Sequence, residues 1–136
     1  MPYQLKIELK EIHTPVWRRV VVPHLLTLSG LHQVIQQAMG WENKHLYEFD
    51  FDEKRYGPDS NDPEVFHIRD AFSDKTKSIR YVYDFGDYWE HEIKFEEPVF
   101  RLAETLVVDG EGDCPPEDIG GPPAYLEWCL KQKKKK

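Results

Sequence analysis

Arg80 to Phe95 reads RYVYDFGDYWEHEIKF, and its large apolar and charged residues alternate on either side of a short acidic turn. That pattern decides the fold. Ile79 to Tyr83 and Tyr88 to Phe95 predict two strands of a hairpin closed around Asp84 to Asp87. In the second strand Trp89, His91, Ile93 and Phe95 share one face, and Tyr88, Glu90, Glu92 and Lys94 the other, because successive side chains point to opposite sides. The six aromatic residues of the stretch supply a core, which leaves Asp84, Asp87 and His91 unexplained by packing.

Working outward, YQLKIELKEI sets Leu5, Ile7 and Leu9 against Gln4, Lys6, Glu8 and Lys10, the period of a half-buried strand. After a turn at Thr14 and Pro15, β-branched residues run on to Pro23, so these two pieces form an antiparallel pair. From Ser29 the period changes. Leu31, Val34, Ile35, Ala38 and Met39 mark one face of a helix, with Thr27 or Ser29 to cap it and Gly40 to end it. HLYEFDFDEKRY alternates again and predicts a strand with one wet face. GPDSNDPE is a turn-rich loop, HIRDAFSD is ambiguous between a short helix and irregular chain, and a short helix begins near Pro122. The expected fold is α+β: a single domain over residues 1–130, mainly antiparallel sheet in the order β-β-α-β then β-β and a C-terminal helix, with helices packed against it, followed by a lysine-rich tail over 131–136.

The 136 residues suffice for one core, and no apolar run approaches the ~20 residues that span a bilayer. No signal-peptide pattern opens the chain, and two cysteines, Cys114 and Cys129, suit a reducing compartment, so the cytoplasm is the expected location. Formal charge is -7, and without the five terminal lysines the count is 13 basic against 25 acidic. A body this acidic repels phosphate backbones and disfavours nucleic acid as a partner, leaving a protein as the expected one.

Two short motifs fail their structural requirements. Asp84-Phe85-Gly86 spells a kinase magnesium tripeptide, but the chain has no catalytic loop or glycine-rich phosphate loop to accompany it. DGEGDCPPEDIG starts like a calcium loop at Asp109, yet places Cys114 where glycine is required and Gly120 where a bidentate Glu is required. No G-x-S-x-G surrounds any serine. Arg18 and Arg19 fall on opposite strand faces and are expected in surface pairs with carboxylates. By strand parity His45 and His91 both face inward. If they converge with Asp84, Asp87, Glu117 and Asp118 they form a polar binding cleft. His45, His91, Asp84 and Cys114 would offer nitrogen, oxygen and sulfur to a divalent metal.

The blocks IHTPVWRRVVVP, LHQVIQQAMGWENKHLYEF, YVYDFGDYWEHEI and CPPEDIGG, in this order and spacing, resemble the plasmid pRiA4b open-reading-frame-three-like (ORF-3-like) family, and cover the chain from Ile12 to about Tyr125. Some of its members carry a transposon-resolvase label. This sequence shows neither a recombinase core nor a helix-turn-helix pattern, and it departs from the family at GGPPAY, where relatives show a Gly-Tyr pair. The resemblance carries His45, Asp84, Asp87, His91, Cys114, Glu117 and Asp118 as motif residues. The expected function is a non-catalytic binding or interaction module of a mobile-element-associated family, with a polar cleft around these motifs. The alternatives are a metal-dependent hydrolase or nuclease on the same cluster, and a nucleic-acid-binding accessory protein using Arg18, Arg19 and the lysine tail.

Overall fold

The computed structural model of the chain describes residues 2–73, 76–98 and 107–134. The last two lysines of the tail, 135–136, lie outside them. In chain order the elements are β1 (Tyr3–Leu9), β2 (Trp17–Val22), α1 (Leu28–Met39), β3 (Tyr47–Phe51), β4 (Lys54–Tyr56), α2 (Ile68–Ala71), β5 (Ser78–Tyr83), β6 (Trp89–Pro98), β7 (Val107–Glu111) and α3 (Pro122–Lys134). The strands form one antiparallel sheet in the order β4-β3-β5-β6-β1-β2-β7.

The opening stretch makes the β5–β6 hairpin, with Tyr83 paired to Trp89 and Tyr81 to His91. The alternation predicted along each strand divides the sheet into two unlike faces. Leu5, Ile7, Val20, Phe49, Ile79, Tyr81, Trp89 and Ile93 are buried on one. On the other, Arg80 pairs with Glu90 and Asp50, and Lys94 with Glu92, in exposed ion pairs of the kind worth less than about 1 kcal/mol each.

Helix α1 lays Leu28, Leu31, Ile35 and Met39 on the apolar face. Thr27 caps its start by accepting from Gly30 N, and Gly40 ends it in the left-handed conformation at φ 76°. From α3, Tyr125 reaches the same face and meets Trp89 edge-on at 6.3 Å.

Two strands, β4 and β7, were not anticipated. HLYEFDFDEKRY is a hairpin rather than one strand, because Asp52 and Glu53 both take positive φ and make a two-residue turn without the expected Gly or Asn. Of the two readings open for HIRDAFSD, the short helix is the one formed, as the single turn α2. Strand β7 arises in the Gly-rich acidic stretch because β2 offers it an open edge, and Gly110 lies so close to Arg18 that a Cβ would sit 2.8 Å from the arginine Cδ. Helix α3 continues through Lys134, into the lysine run.

Candidate functional site

Three segments meet at one end of the sheet: the residues after α1, the β5–β6 turn and the strap from Asp113 to Gly121. Trp41, just past the αL cap Gly40, is buried, stacks on Tyr83 at 5.0 Å and donates from Nε1 to Pro115 O at 2.8 Å. That bond ties the strap to the core. In the turn, Asp84 takes φ 65°, its backbone N–H donates to Leu46 O, and its Oδ1 accepts from Gly86 N at 3.0 Å and Asp87 N at 3.3 Å. Aspartate suits this position because its short carboxylate tolerates αL and satisfies the turn's own N–H groups.

His45 stands where the segments join. Its Nε2 lies 2.6 Å from Asp118 Oδ1 and 3.5 Å from Asp84 Oδ2. Desolvation pulls the imidazole down, but the hydrogen bond with Asp118 and the charges of Asp84, Asp118 and Glu117 outweigh it, so its pKa stands above the ordinary 6.5. Glu117 Oε1 accepts from Tyr83 Oη at 2.9 Å and Glu42 N at 2.7 Å, while Glu117 Oε2 is buried without a partner. Burial, then the bond to Glu117, raises the Tyr83 phenol well above its usual range. Asp87 Oδ2 accepts from Gly120 N at 3.0 Å. Next to it, Gly121 at φ 87° passes so close to the turn that a Cβ would meet Asp87 O at 2.7 Å.

A family model described as "Plasmid pRiA4b ORF-3-like protein" matches residues 2–135. The chain belongs to the plasmid pRiA4b ORF-3-like family. Among proteins similar to this ORF-3-like chain is "Uncharacterized protein y4hQ" of Sinorhizobium fredii (strain NBRC 101917 / NGR234), 43% identical over 136 residues, covering 93% of this chain and 70% of that one. Among solved structures, the crystal structure of the protein of unknown function MM3350 from Methanosarcina mazei Go1 superposes with a TM-score of 0.88 at 31% identity, over 97% of this chain and 81% of that one.

Of the sequence-predicted residues, His45, Asp84, Asp87, Glu117 and Asp118 of the ORF-3-like protein come together around the three-segment junction. His91 and Cys114 do not join the ligand atoms of His45, Asp84 and Asp118. Facing inward and standing at the site proved to be different things for His91. It is fully buried in mid-sheet, edge-on to Trp41 at 5.4 Å, with Nδ1 3.3 Å from Tyr81 O and Nε2 unpartnered. Cys114 rests against Met39, its Sγ 3.5 Å from the methionine Sδ, and burial raises its thiol. Arg19 pairs with Glu96 at 2.6 Å and Asp109 at 2.9 Å as expected, whereas Arg18 donates to the backbone carbonyls of Trp17, Glu111 and Gly112.

Sequence reasoning missed a buried ring of hydrogen bonds beneath the junction. His32 Nε2 meets Asn43 Oδ1 at 2.6 Å and His32 Nδ1 meets Tyr81 Oη at 2.7 Å. Gln36 Nε2 donates to Tyr81 Oη at 3.3 Å, and Gln36 Oε1 accepts from Asn43 N at 2.8 Å. Since Asn43 Oδ1 can only accept, Nε2 carries the proton and the Tyr81 hydroxyl donates to Nδ1, which closes the ring with a neutral imidazole. Desolvation lowers the His32 pKa in keeping with that. The signal was available in the helical spacing, which sets His32 and Gln36 beside Leu28, Leu31, Ile35 and Met39 on the buried face. Tyr81→Phe would strand two polar groups, and is expected to cost about 1–3 kcal/mol in urea unfolding while the far-ultraviolet spectrum is unchanged.

Proposed function

We propose that this ORF-3-like protein is a non-catalytic binding module of a mobile-element-associated family, and that the acidic cluster of Asp84, Asp87, Glu117 and Asp118 around His45 receives a basic segment of a protein partner. The observation that carries this reading is the way the carboxylates are held. Backbone N–H groups of Gly86, Asp87, Gly120 and Glu42 donate to three of them, which fixes these groups in place before a partner arrives. The fourth, Asp118, is 56% exposed. A surface of this sign attracts cationic side chains and opposes phosphate backbones.

A metal-dependent hydrolase or nuclease is the second reading, because one ligand atom each from His45, Asp84 and Asp118 lies within 4.8 Å of the others. Two ligands on one tetrahedral ion with bonds of ~2.0–2.1 Å stand roughly 3.3 Å apart. The 2.6 Å between His45 and Asp118 is a hydrogen bond, so an ion would first have to separate them.

Calorimetric titration with a ten-residue peptide of alternating lysine and serine tests the first reading. Binding is expected that weakens with salt and falls about tenfold or more in Asp118→Asn. Equal affinity for the variant, or no heat at all, overturns it. A thermal shift with zinc or manganese that vanishes in His45→Ala would establish the second reading in its place.

A further inference from the structure

Eight large apolar side chains stand exposed among the described residues, and five of them fall in two patches. Isolated surface hydrophobics are ordinary, whereas grouped ones mark contact surfaces. The first patch is interleaved with the acidic cluster. Leu46 follows His45, Phe85 follows Asp84 and Tyr88 follows Asp87, and the three are exposed by 45%, 45% and 46%. Leu46 O accepts from Asp84 N at 2.9 Å, which brings the pieces together. Phe85 and Tyr88 also wall a hollow of about 280 Å3 that reaches the buried Val82. The ions around that hollow are already matched: Arg55 lies 3.5 Å from Glu48, and Arg80 pairs with Asp50 and Glu90 and donates to the Tyr88 hydroxyl. Lys44, whose charge also reaches Asp118 and Glu117, is paired with Glu42 at 2.8 Å.

The second patch is the counterpart in charge. Helix α3 turns Tyr125 and Trp128 towards the body and leaves Leu126 and Leu130, one turn apart, exposed by 40% and 50%. Exposed Lys131 follows, and the run 133–136 adds four lysines, with Glu127 the one acid among them. The helix starts at Pro122, directly after Gly121 meets the β5–β6 turn, so Lys131 stands about 13 Å along the axis from the end beside its own chain's cluster. Another copy can bring it there. One patch is apolar and acidic, the other apolar and basic, and the two are complementary.

We propose that the partner which supplies the basic segment is a second copy of this chain, whose α3 lays Leu126 and Leu130 on Leu46, Phe85 and Tyr88 and carries its lysines to the acidic cluster. This rests on the reading of that cluster as a site for a basic segment. The two patches are different surfaces, so the contact is head-to-tail and each copy can both give a helix and receive one.

Sedimentation of the whole chain from about 10 µM to about 500 µM, the range of weak interfaces, tests it. The average mass is expected to rise with concentration and to fall back towards monomer in high salt. Leu126→Ser with Leu130→Ser removes the giving surface, and Phe85→Ser with Asp118→Asn the receiving one. Each double variant alone should be monomeric, while an equal mixture of the two should form a dimer, because each retains the surface that the other lacks. If either variant fails to fold, competition on the parent chain decides: excess lysine-serine peptide should return it to monomer. A parent chain that stays monomeric, variants that still self-associate, a mixture that does not pair, or association that the peptide does not compete each overturns the proposal. A monomeric parent chain that nevertheless binds the lysine-serine peptide would leave the cluster reading standing with a different protein as partner, so the two fail separately.

Discussion

His91→Leu is expected to flatten the acid side of this protein's stability profile. The His91 imidazole is fully buried, and desolvation pushes its pKa from 6.5 down to about 4. Above pH 6.5 the histidine is neutral in folded and unfolded chains alike, and its contribution is complete. As pH falls from 6.5 towards 4 the unfolded chain takes up the proton and the native state does not, so stability drains away, by about 3 kcal/mol over that span. His32, also lowered by burial, adds to the same slope. His45 works oppositely: its raised pKa gives a contribution that is whole below 6.5 and lost as pH rises through its folded value. Glu96, lowered first by its hydrogen bond with Arg19, contributes above its unfolded value near 4.5 and loses that contribution below it. Urea midpoints at pH 6.5 and pH 4.5 therefore isolate the histidines. Leucine removes a buried nitrogen that has no partner and is close to histidine in volume, so the variant should lie within about 1.5 kcal/mol of the parent at pH 7. Its loss between pH 6.5 and 4.5 should be clearly the smaller. A slope equal to the parent's would show that His91 does not carry the acid sensitivity.

Gly121→Ala should be the most damaging single-methyl change at the candidate site. Gly121 has φ 87°, and its added Cβ would stand 2.7 Å from the Asp87 carbonyl oxygen, a backbone atom that cannot swing aside. Left-handed backbone costs a non-glycine residue roughly 1 kcal/mol, and relieving the collision means moving the strap off the turn, for a combined cost on the order of 3 kcal/mol. Gly40→Ala is the matched control. Its φ of 76° is similar but nothing lies within 4 Å of the added methyl, so only the conformational part, about 1 kcal/mol, is expected. Denaturation of both variants measures the difference. Moving the strap would also pull Gly120 N from Asp87 and Asp118 from His45, so Gly121→Ala should weaken the lysine-serine peptide while Gly40→Ala leaves it unchanged. Equal losses in the two variants would show that the close approach of strap and turn contributes nothing.

The two substitutions mark how far the sequence could be read. Gly121 was legible as a turn former, but its contact with Asp87 joins residues more than thirty positions apart. His91 was legible as an inward residue, yet parity gives a side chain's face and not its position along the sheet. It therefore could not separate His91, under Trp41, from His45, at the edge where the strap crosses. The ring through His32, Gln36, Asn43 and Tyr81 was invisible for the same reason, although the helical period already put two polar residues on a buried face. Strand β7 was missed because Asp109 and Gly110 have low strand propensity of their own and extend only against the free edge of β2.

By itself the sequence determined what local periodicity encodes: the strand faces, helix α1 with its Thr27 and Gly40 ends, the β5–β6 hairpin, and through its four motif blocks the family. These follow from interactions between residues close in the chain, whose spacing fixes which side is buried. Only the tertiary structure decided that Asp118 meets His45, that His91 stays out of their cluster, and that Leu46 comes to lie beside Asp84 and Phe85. Those are distances across loops, set by how helices and the strap pack on the sheet, and no periodicity in the chain records them.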